Sequence, residues 1–245
     1  MARRRFFVDH IHHQQAEVNG EDAHHLTRVL RVERGQRYEI SDNISVFLAE
    51  VAEARKDRVL FSLLEPVPLA PPPVAVTLVA AIIKFDRLEW IFEKCTELGV
   101  ERFLLFSADR SEKGLEQAAP KRMSRWNRVL SESSQQSRRD RLPLLLPLVT
   151  FAAALATAAT CRLMLEEEKA RPILSSLPAE RSAADSVALL LGPEGGWTAR
   201  EREQASKAGW AAVSLGPSIL RAETAAVAGV AVLNAAWAKN CTIQQ

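Results

Sequence analysis

Only three cysteines stand in 245 residues, Cys95, Cys161 and Cys241, far apart and without CxxC or CxxH spacing. An odd, scattered set argues against both a disulfide framework and a zinc site, and fits buried or bystander thiols in a reducing cytosol. Charge of one sign is also missing, since 32 Lys and Arg face 30 Asp and Glu for a formal +2. No basic carpet for nucleic acid covers the whole chain, so any such surface must be local. The start MARRRFFVDH is basic but no continuous apolar stretch follows it, so it is not a secretory signal and a cytoplasmic location is expected. One uncharged stretch, residues 142–161, has the nominal length of a membrane span, about 20 residues. Pro143 and Pro147 would break its first turns and Ala and Thr fill its second half, so a short extended piece and a small Ala-rich helix are expected instead. Histidine is absent beyond residue 25. His12 and His13, like His24 and His25, are adjacent and cannot share one helix face, so solvated or RNA-facing histidines, with His10, are expected rather than a metal site.

What is present supplies a real core: 47% of residues are hydrophobic, in a length that allows one large domain or two smaller ones. EPVPLAPPP, residues 65–73, gathers five of the 12 prolines into a stiff, extended spacer that divides the chain. Upstream, RRFFV, RYEIS, VFLAEVAEA and RVLFSLLEPV are short runs rich in Val, Phe, Ile and Tyr between charged or Asn, Asp and Gly turns, the pattern of a small barrel or sandwich. EDAHHLTRVLRVERG reads as one helix ending before Gly35, with Leu26, Val29 and Leu30 on one face. Downstream, strand and helix signals alternate. VAVTLVAAI (74–82), RFLLFS, CRLMLEE, SVALLLG and WAAVSLG are strands. DRLEWIFEKCTELGV is a helix closed by Gly99, KRMSRWNRVLSESSQQSRRDRLP is a helix packing Met123, Trp126, Val129 and Leu130 inward, and a long helix runs from about Thr224 to Lys239. Such alternation specifies an α/β domain with a mostly parallel sheet.

LLLGPEGGWTARE, residues 189–201, ends a strand in a glycine loop, and open α/β sheets bind ligands outside the carboxyl ends of their strands. Thr198 and Glu201 have the spacing of a capping box for the following helix. The loop lacks the Lys and Ser or Thr of a P-loop, GPEGG is not GxGxxG, and Glu194 would repel a pyrophosphate. A cationic or uncharged polar ligand fits better, a sulfonium cofactor among them, although taken alone the loop is equally a tight structural turn. SLGPSILRAETAAVAGVAVLN (214–234) repeats the layout, and two such strand ends side by side would wall one pocket, with Arg221 and Glu223 at its edge.

LLLGPEGGWTAREREQA followed by VSLGPSILRAETA resembles the paired signature of the RsmE family of SPOUT methyltransferases, S-adenosylmethionine enzymes that methylate N3 of a uridine in 16S ribosomal RNA. HHLTRVLRVERG, IIKFDRLEWIFEKCTELGV and RWNRVLSESSQQSRRDRLP are similar to further family segments in the same order, so the resemblance covers most of the chain. It implies an α/β fold made of a small PUA-like, RNA-binding β-barrel over residues 1–68 and a SPOUT α/β-knot domain, a deep trefoil knot, over 74–245. It further implies S-adenosylmethionine as cofactor, 16S rRNA of the small ribosomal subunit as partner, a homodimer, and neither metal nor membrane. The cofactor residues implied are Leu165, Leu191, Gly192, Glu194, Gly195, Gly196, Leu215, Gly216, Ile219 and Leu220. Two departures stand out: Gln135 replaces a usual Glu, and Arg138 a usual small residue. Ribose 2'-O methylation on the same fold and a non-catalytic RNA-binding protein are the alternatives.

Methylating N3 of uracil requires removal of its proton, and charge then builds on the two carbonyl oxygens. Glu223 as base and Arg221 as stabiliser are the expected catalytic pair. The RNA surface is expected on residues 120–141, where Lys121, Arg122, Arg125, Arg128, Arg138, Arg139 and Arg141 face only Glu132 and Asp140, seven cations against two carboxylates for a local +5. Gln136, Lys84 and Arg87 belong to the same expectation, and His25, Arg28 and Arg31 would extend the track. The target base must be exposed or flipped.

Overall fold

The alternating runs before the proline cluster form one sheet. The computed structural model describes residues 4–238 and separates into two compact units, the first comprising the chain up to Pro71 together with Ser134–Leu142 and the second the remainder. In the first unit, β1 (Arg5–Phe7), β2 (Ile11–His12), β3 (Gln15–Asn19), β4 (Arg37–Ser41), β5 (Val46–Arg55) and β6 (Arg58–Pro66) pair in the order β1-β4-β5-β6-β3-β2, antiparallel except for β1 on β4. Ala16, Val18, Ile40, Val51, Val59 and Phe61 alternate inward, and α1 (Gly20–Arg28) adds Ala23 and Leu26 to that core. β2 and β3 escape the sequence pattern because HIHHQQAEVN offers only Ile11, Ala16 and Val18 as apolar positions.

The first helix is shorter than its periodicity suggests. It stops at Arg28, and Val29 is 64% exposed instead of packed. Arg31 then takes φ +51 and the Val32 amide donates to the Leu26 carbonyl at 3.0 Å, which turns the chain so that Val32 enters the core. Burying Val32 outweighs extending an exposed helical turn.

Ser134–Leu142 joins this unit through a charge cluster. Arg5 donates to Glu39 at 3.1 and 2.9 Å and to the Arg138 carbonyl at 2.8 Å, and pairs with Asp140; Arg138 in turn pairs with Glu39. Ser41 Oγ donates to the Asp140 carbonyl at 2.6 Å and the Leu142 amide to Asn43 at 2.8 Å. Arg5 and Glu39 are buried, so neither charge is tolerable without the other. The departure at Arg138 thus has a local partner. Because Arg138 is half-exposed, Arg138→Ala is expected to cost about 1 kcal/mol or less in urea denaturation. A loss above about 3 kcal/mol would mean that Arg138, rather than Arg5, holds the cluster together.

In the second unit β7 (Ala75–Ala81), β8 (Arg102–Ser107), β9 (Leu144–Thr150), β10 (Cys161–Leu165), β11 (Arg171–Pro172), β12 (Ser186–Leu191) and β13 (Ala211–Ser214) form a parallel sheet in the order β11-β13-β10-β12-β7-β8-β9. Continuous apolar strands have two faces to bury, and the helices divide accordingly. Val76, Leu78, Leu163, Leu165, Leu189 and Leu191 pack with α2 (Phe85–Glu97), α7 (Ala222–Ala238) and Trp126 and Leu130 of α4 (Met123–Ser137), helped by short α3 (Leu115–Ala118). Val79, Ala81, Met164, Ala188 and Leu190 pack on the other side with α5 (Phe151–Leu155) and Ala205 of α6 (Ala199–Lys207). Cys95 and Cys161 are buried, and burial pushes both thiols up from their ordinary range.

β12 and β13 are not neighbours. β10 lies between them and pairs with both. Leu163, Met164 and Leu165 of β10 are all buried, as an inner strand requires, whereas Ala211 and Ala212 of β13 are exposed. Residues 142–161 hold β9 and α5, and among the described residues no helix is long and apolar enough to cross a membrane. The helix end expected at Lys239, and Cys241, lie outside the described residues.

Candidate active site

The carboxyl ends of β13, β10 and β12, in that spatial order, wall a cavity of about 280 Å³. β10 and the turn after it contribute Leu165, Glu166 and Glu167; the end of β12 and its loop contribute Leu191, Gly192, Pro193, Glu194, Gly196 and Trp197; the end of β13, its loop and the first residue of α7 contribute Ser214–Gly216 and Ser218–Ala222. Arg87 of α2 and Ala225 of α7 complete the wall. Of the cofactor and catalytic residues named from the sequence, Gly195 and Glu223 fall outside this lining. The Gly195 carbonyl instead accepts from Arg110 Nη1 at 2.9 Å, and Glu223 Oε2 is buried and accepts no hydrogen bond from the described residues. A wider depression of about 620 Å³ adjoins the cavity, sharing Glu167 and Ser214–Gly216 and bounded by Pro172, Ile173, Leu174 and Val232.

Two devices lock the loops. Trp197 is buried, stacks on Phe106 with centroids 6.2 Å apart, and donates its indole N–H to the Leu165 carbonyl at 2.8 Å, tying the end of β12 to the end of β10. Gly192 makes room for it, since a Cβ there would stand 2.8 Å from the indole. Gly196 has φ +70, a conformation side chains rarely adopt. Arg202 grips Glu166 with two hydrogen bonds, at 2.7 and 3.0 Å, and reaches the Trp197 carbonyl at 2.9 Å. α6 begins with the expected capping box of Thr198 and Glu201, and buried Glu201 also accepts the Asp109 amide at 2.9 Å, fastening the loop after β8.

Burial alone would raise the Glu166 carboxyl, but hydrogen bonds from Arg202 and from the backbone N–H groups of Glu168 and Glu167 outweigh it and hold the group below its ordinary 4.5. A carboxylate depressed by folding stabilises the fold above its unfolded value and loses that contribution as pH falls through its folded one. The wild-type protein is therefore expected to lose stability below about pH 4.5 more steeply than Glu166→Gln, as urea midpoints measured between neutral and acid pH will show. Equal acid slopes would mean that Glu166 contributes nothing to this dependence.

The residues expected to meet RNA are divided between the two units: His25, Arg28, Arg31, Gln136 and Arg139 lie in the first, and Lys84, Arg87, Arg122 and Arg125 in the second. The balance of +5 over residues 120–141 is reduced by partners outside that segment. Glu39 takes Arg138 and Glu89 takes Arg125 at 3.3 Å, while Asp140 is committed to Arg5. Arg87 is engaged with Glu194 on the cavity rim, and Arg122 lies over the Phe85 ring at 5.5 Å. Sequence pattern cannot show such pairings because each joins residues at least 36 positions apart. It also passed over Glu166, Glu167 and Trp197; the LEEE run at the end of a strand was the one signal for the two acids, and Trp197 had only its place in the glycine loop.

The lining fits S-adenosylmethionine. Leu165, Leu191, Leu215 and Leu220 offer apolar walls for a purine, Gly216 leaves its backbone open to a ligand, and carboxylates complement a cation.

The chain matches the RNA methyltransferase domain model over residues 70–234 and the RNA methyltransferase PUA domain model over 18–64. It is 31% identical over 236 residues to ribosomal RNA small subunit methyltransferase E of Bacillus subtilis, covering 90% of this chain and 92% of the relative. The Mycobacterium bovis protein of the same name is 32% identical, with 91% and 88% covered. Among solved structures, ribosomal RNA small subunit methyltransferase E of Neisseria gonorrhoeae bound to S-adenosyl methionine superposes with a TM-score of 0.86 at 28% identity, covering 96% of this chain and 98% of that one. A putative methyltransferase of Legionella pneumophila with bound S-adenosyl methionine gives the same TM-score and coverage at 27% identity.

Proposed function

The chain belongs to the RNA methyltransferase family with an RNA methyltransferase PUA domain, and from that membership we propose that it transfers a methyl group from S-adenosylmethionine to N3 of a uridine in 16S ribosomal RNA. The observation that carries this reading is the cavity at three strand ends, closed by both glycine loops and lined by Arg221. In the same reading the first sheet closes as a PUA-like barrel that binds RNA, the loops of the second unit are threaded as a deep trefoil knot, and the chain works in the cytoplasm as a homodimer on the small subunit. α7 favours the dimer: apolar almost throughout, it leaves Val227, Ala228, Ala231 and Val232 only half-buried.

When bound, the cofactor supplies an electrophilic methyl group on its sulfonium. Leu165, Leu191, Leu215, Ile219 and Leu220 hold and desolvate it, while the backbone at Gly216 admits close approach. Uracil N3 carries a proton and shares its lone pair between two carbonyls, so reaction needs the proton removed and the resulting charge stabilised. Arg221 lines the cavity and supplies the cation facing the uracil oxygens. Glu223, two residues on in α7 and just outside the lining, takes the proton in this reading; its buried Oε2 has no hydrogen-bond partner among the described residues, and the base N–H is the donor this reading gives it. His25, Arg28, Arg31, Lys84, Arg122, Arg125, Gln136 and Arg139 bind RNA through phosphate and sugar contacts that fix position but not sequence.

The reading is tested by digesting small-subunit RNA after reaction with labelled S-adenosylmethionine and separating the nucleosides. Label in N3-methyluridine is expected; label in a ribose-methylated nucleoside would assign the chain to the other chemistry. Glu223→Gln is expected to lower the single-turnover rate by about 10²–10⁴-fold, and an unchanged rate would remove its role as base.

A further inference from the structure

Five charged residues line the cavity: Arg87, Glu166, Glu167, Glu194 and Arg221. Three are neutralised in place. Arg87 pairs with Glu194 across the rim, and Glu166 is held by Arg202 from outside the lining. Among the described residues Glu167 and Arg221 form no ion pair; Arg202 feels Glu167 only through space, behind its contacts to Glu166 and Glu168, so the cavity keeps one carboxylate and one guanidinium in reach of its contents.

Glu167 is placed by the chain. Its backbone N–H and that of Glu168 donate to Glu166 Oε1 at 3.0 and 3.2 Å, fixing the turn that follows β10. Its carboxylate then lies over Gly196, with Oε1 only 1.9 Å from where a Cβ would stand. A side chain at position 196 would displace this carboxylate, so the glycine serves Glu167 as well as the loop. The neighbouring acids differ in this respect: Glu168 pairs with Arg202 at 3.0 Å and lies outside the cavity.

We propose that Glu167 is a specificity-determining residue that selects the cofactor by its positive charge, a role that rests on the S-adenosylmethionine reading above. S-adenosylmethionine carries two such charges, the sulfonium and the α-ammonium. S-adenosylhomocysteine keeps only the ammonium, and methylthioadenosine has neither. A carboxylate in a partly enclosed site distinguishes these ligands, because its interaction with a cation is strong and that with a neutral thioether is not.

Calorimetric titration of the full chain with each ligand tests this without turnover. Glu167→Gln keeps the shape of the side chain and removes its charge. It is expected to weaken S-adenosylmethionine by about tenfold and to leave methylthioadenosine within about twofold. Equal weakening of S-adenosylhomocysteine would assign Glu167 to the ammonium, and weakening of S-adenosylmethionine alone would assign it to the sulfonium; either supports charge selection. Unchanged binding of both, or equal loss for methylthioadenosine, would overturn it. Glu168→Gln is the control for general electrostatics, expected to change none of the three by more than about twofold; a loss matching that of Glu167→Gln would also overturn the assignment. Wild-type protein that fails to bind S-adenosylmethionine would sink the functional reading and this inference together, whereas wild-type binding with an unaffected variant would sink the inference alone.

Discussion

Arg221→Ala is expected to lower the rate of methyl transfer by about 10²–10³-fold, the usual cost of deleting one donor that faces developing charge. Arg221 begins the turn into α7, and the Ala225 amide donates to its carbonyl at 2.8 Å, so the substitution leaves the backbone hydrogen bond in place. Calorimetry is expected to show S-adenosylmethionine affinity within about fivefold of wild type, because apolar walls and backbone from three strand ends supply most of the contact. A rate loss accompanied by an equal loss of cofactor affinity would make Arg221 a binding residue instead. Lysine at this position is expected to restore part of the rate, since it returns the charge without the planar fork.

Trp197→Ala is expected to have the largest effect on the fold. The indole is buried, stacks on Phe106, touches Phe151 with centroids 5.8 Å apart, and supplies the hydrogen bond that ties β12 to β10. Removing a buried Trp costs about 3–5 kcal/mol in a core that cannot fully collapse, and here it also leaves the Leu165 carbonyl without that donor. Urea denaturation followed by circular dichroism measures the loss, and titration of the surviving folded protein is expected to show cofactor affinity reduced by more than tenfold. Loss of stability with undiminished affinity would show that the strand ends hold their positions without the indole. Gly192→Val approaches the same ring from the other side and is expected to cost about 1–3 kcal/mol by overpacking.

Much of this architecture is legible in the sequence because local chemistry and global fold agree. VAVTLVAAI, SVALLLG and CRLMLEE have no polar face to spare, and that alone demands a sheet covered on both sides. TARE declares its own helix start. The paired glycine loops point to a ligand site because both terminate strands, and both line the same cavity. Where reading fails, the cause is tertiary. Val29 has helical spacing but is left outside because Val32 takes the place in the core, and β13 is displaced from β12 because β10 has the more apolar faces. The charge count over 120–141 misleads for a related reason: Glu39 and Glu89, distant in sequence, arrive beside Arg138 and Arg125 only on folding. Glu166 and Glu167 look like part of a solvated acidic run until Arg202 and Gly196 give each a different task.

The most direct test of the account is to incubate the protein with labelled S-adenosylmethionine and small ribosomal subunits lacking the modification, then map the product by reverse transcription. A methyl group on N3 blocks Watson–Crick pairing, so the account predicts incorporated label together with a new stop at one uridine of 16S rRNA. Label without a stop would contradict N3 chemistry and favour ribose methylation, and no label despite measured cofactor binding would contradict the assignment of this chain as an enzyme acting on that RNA.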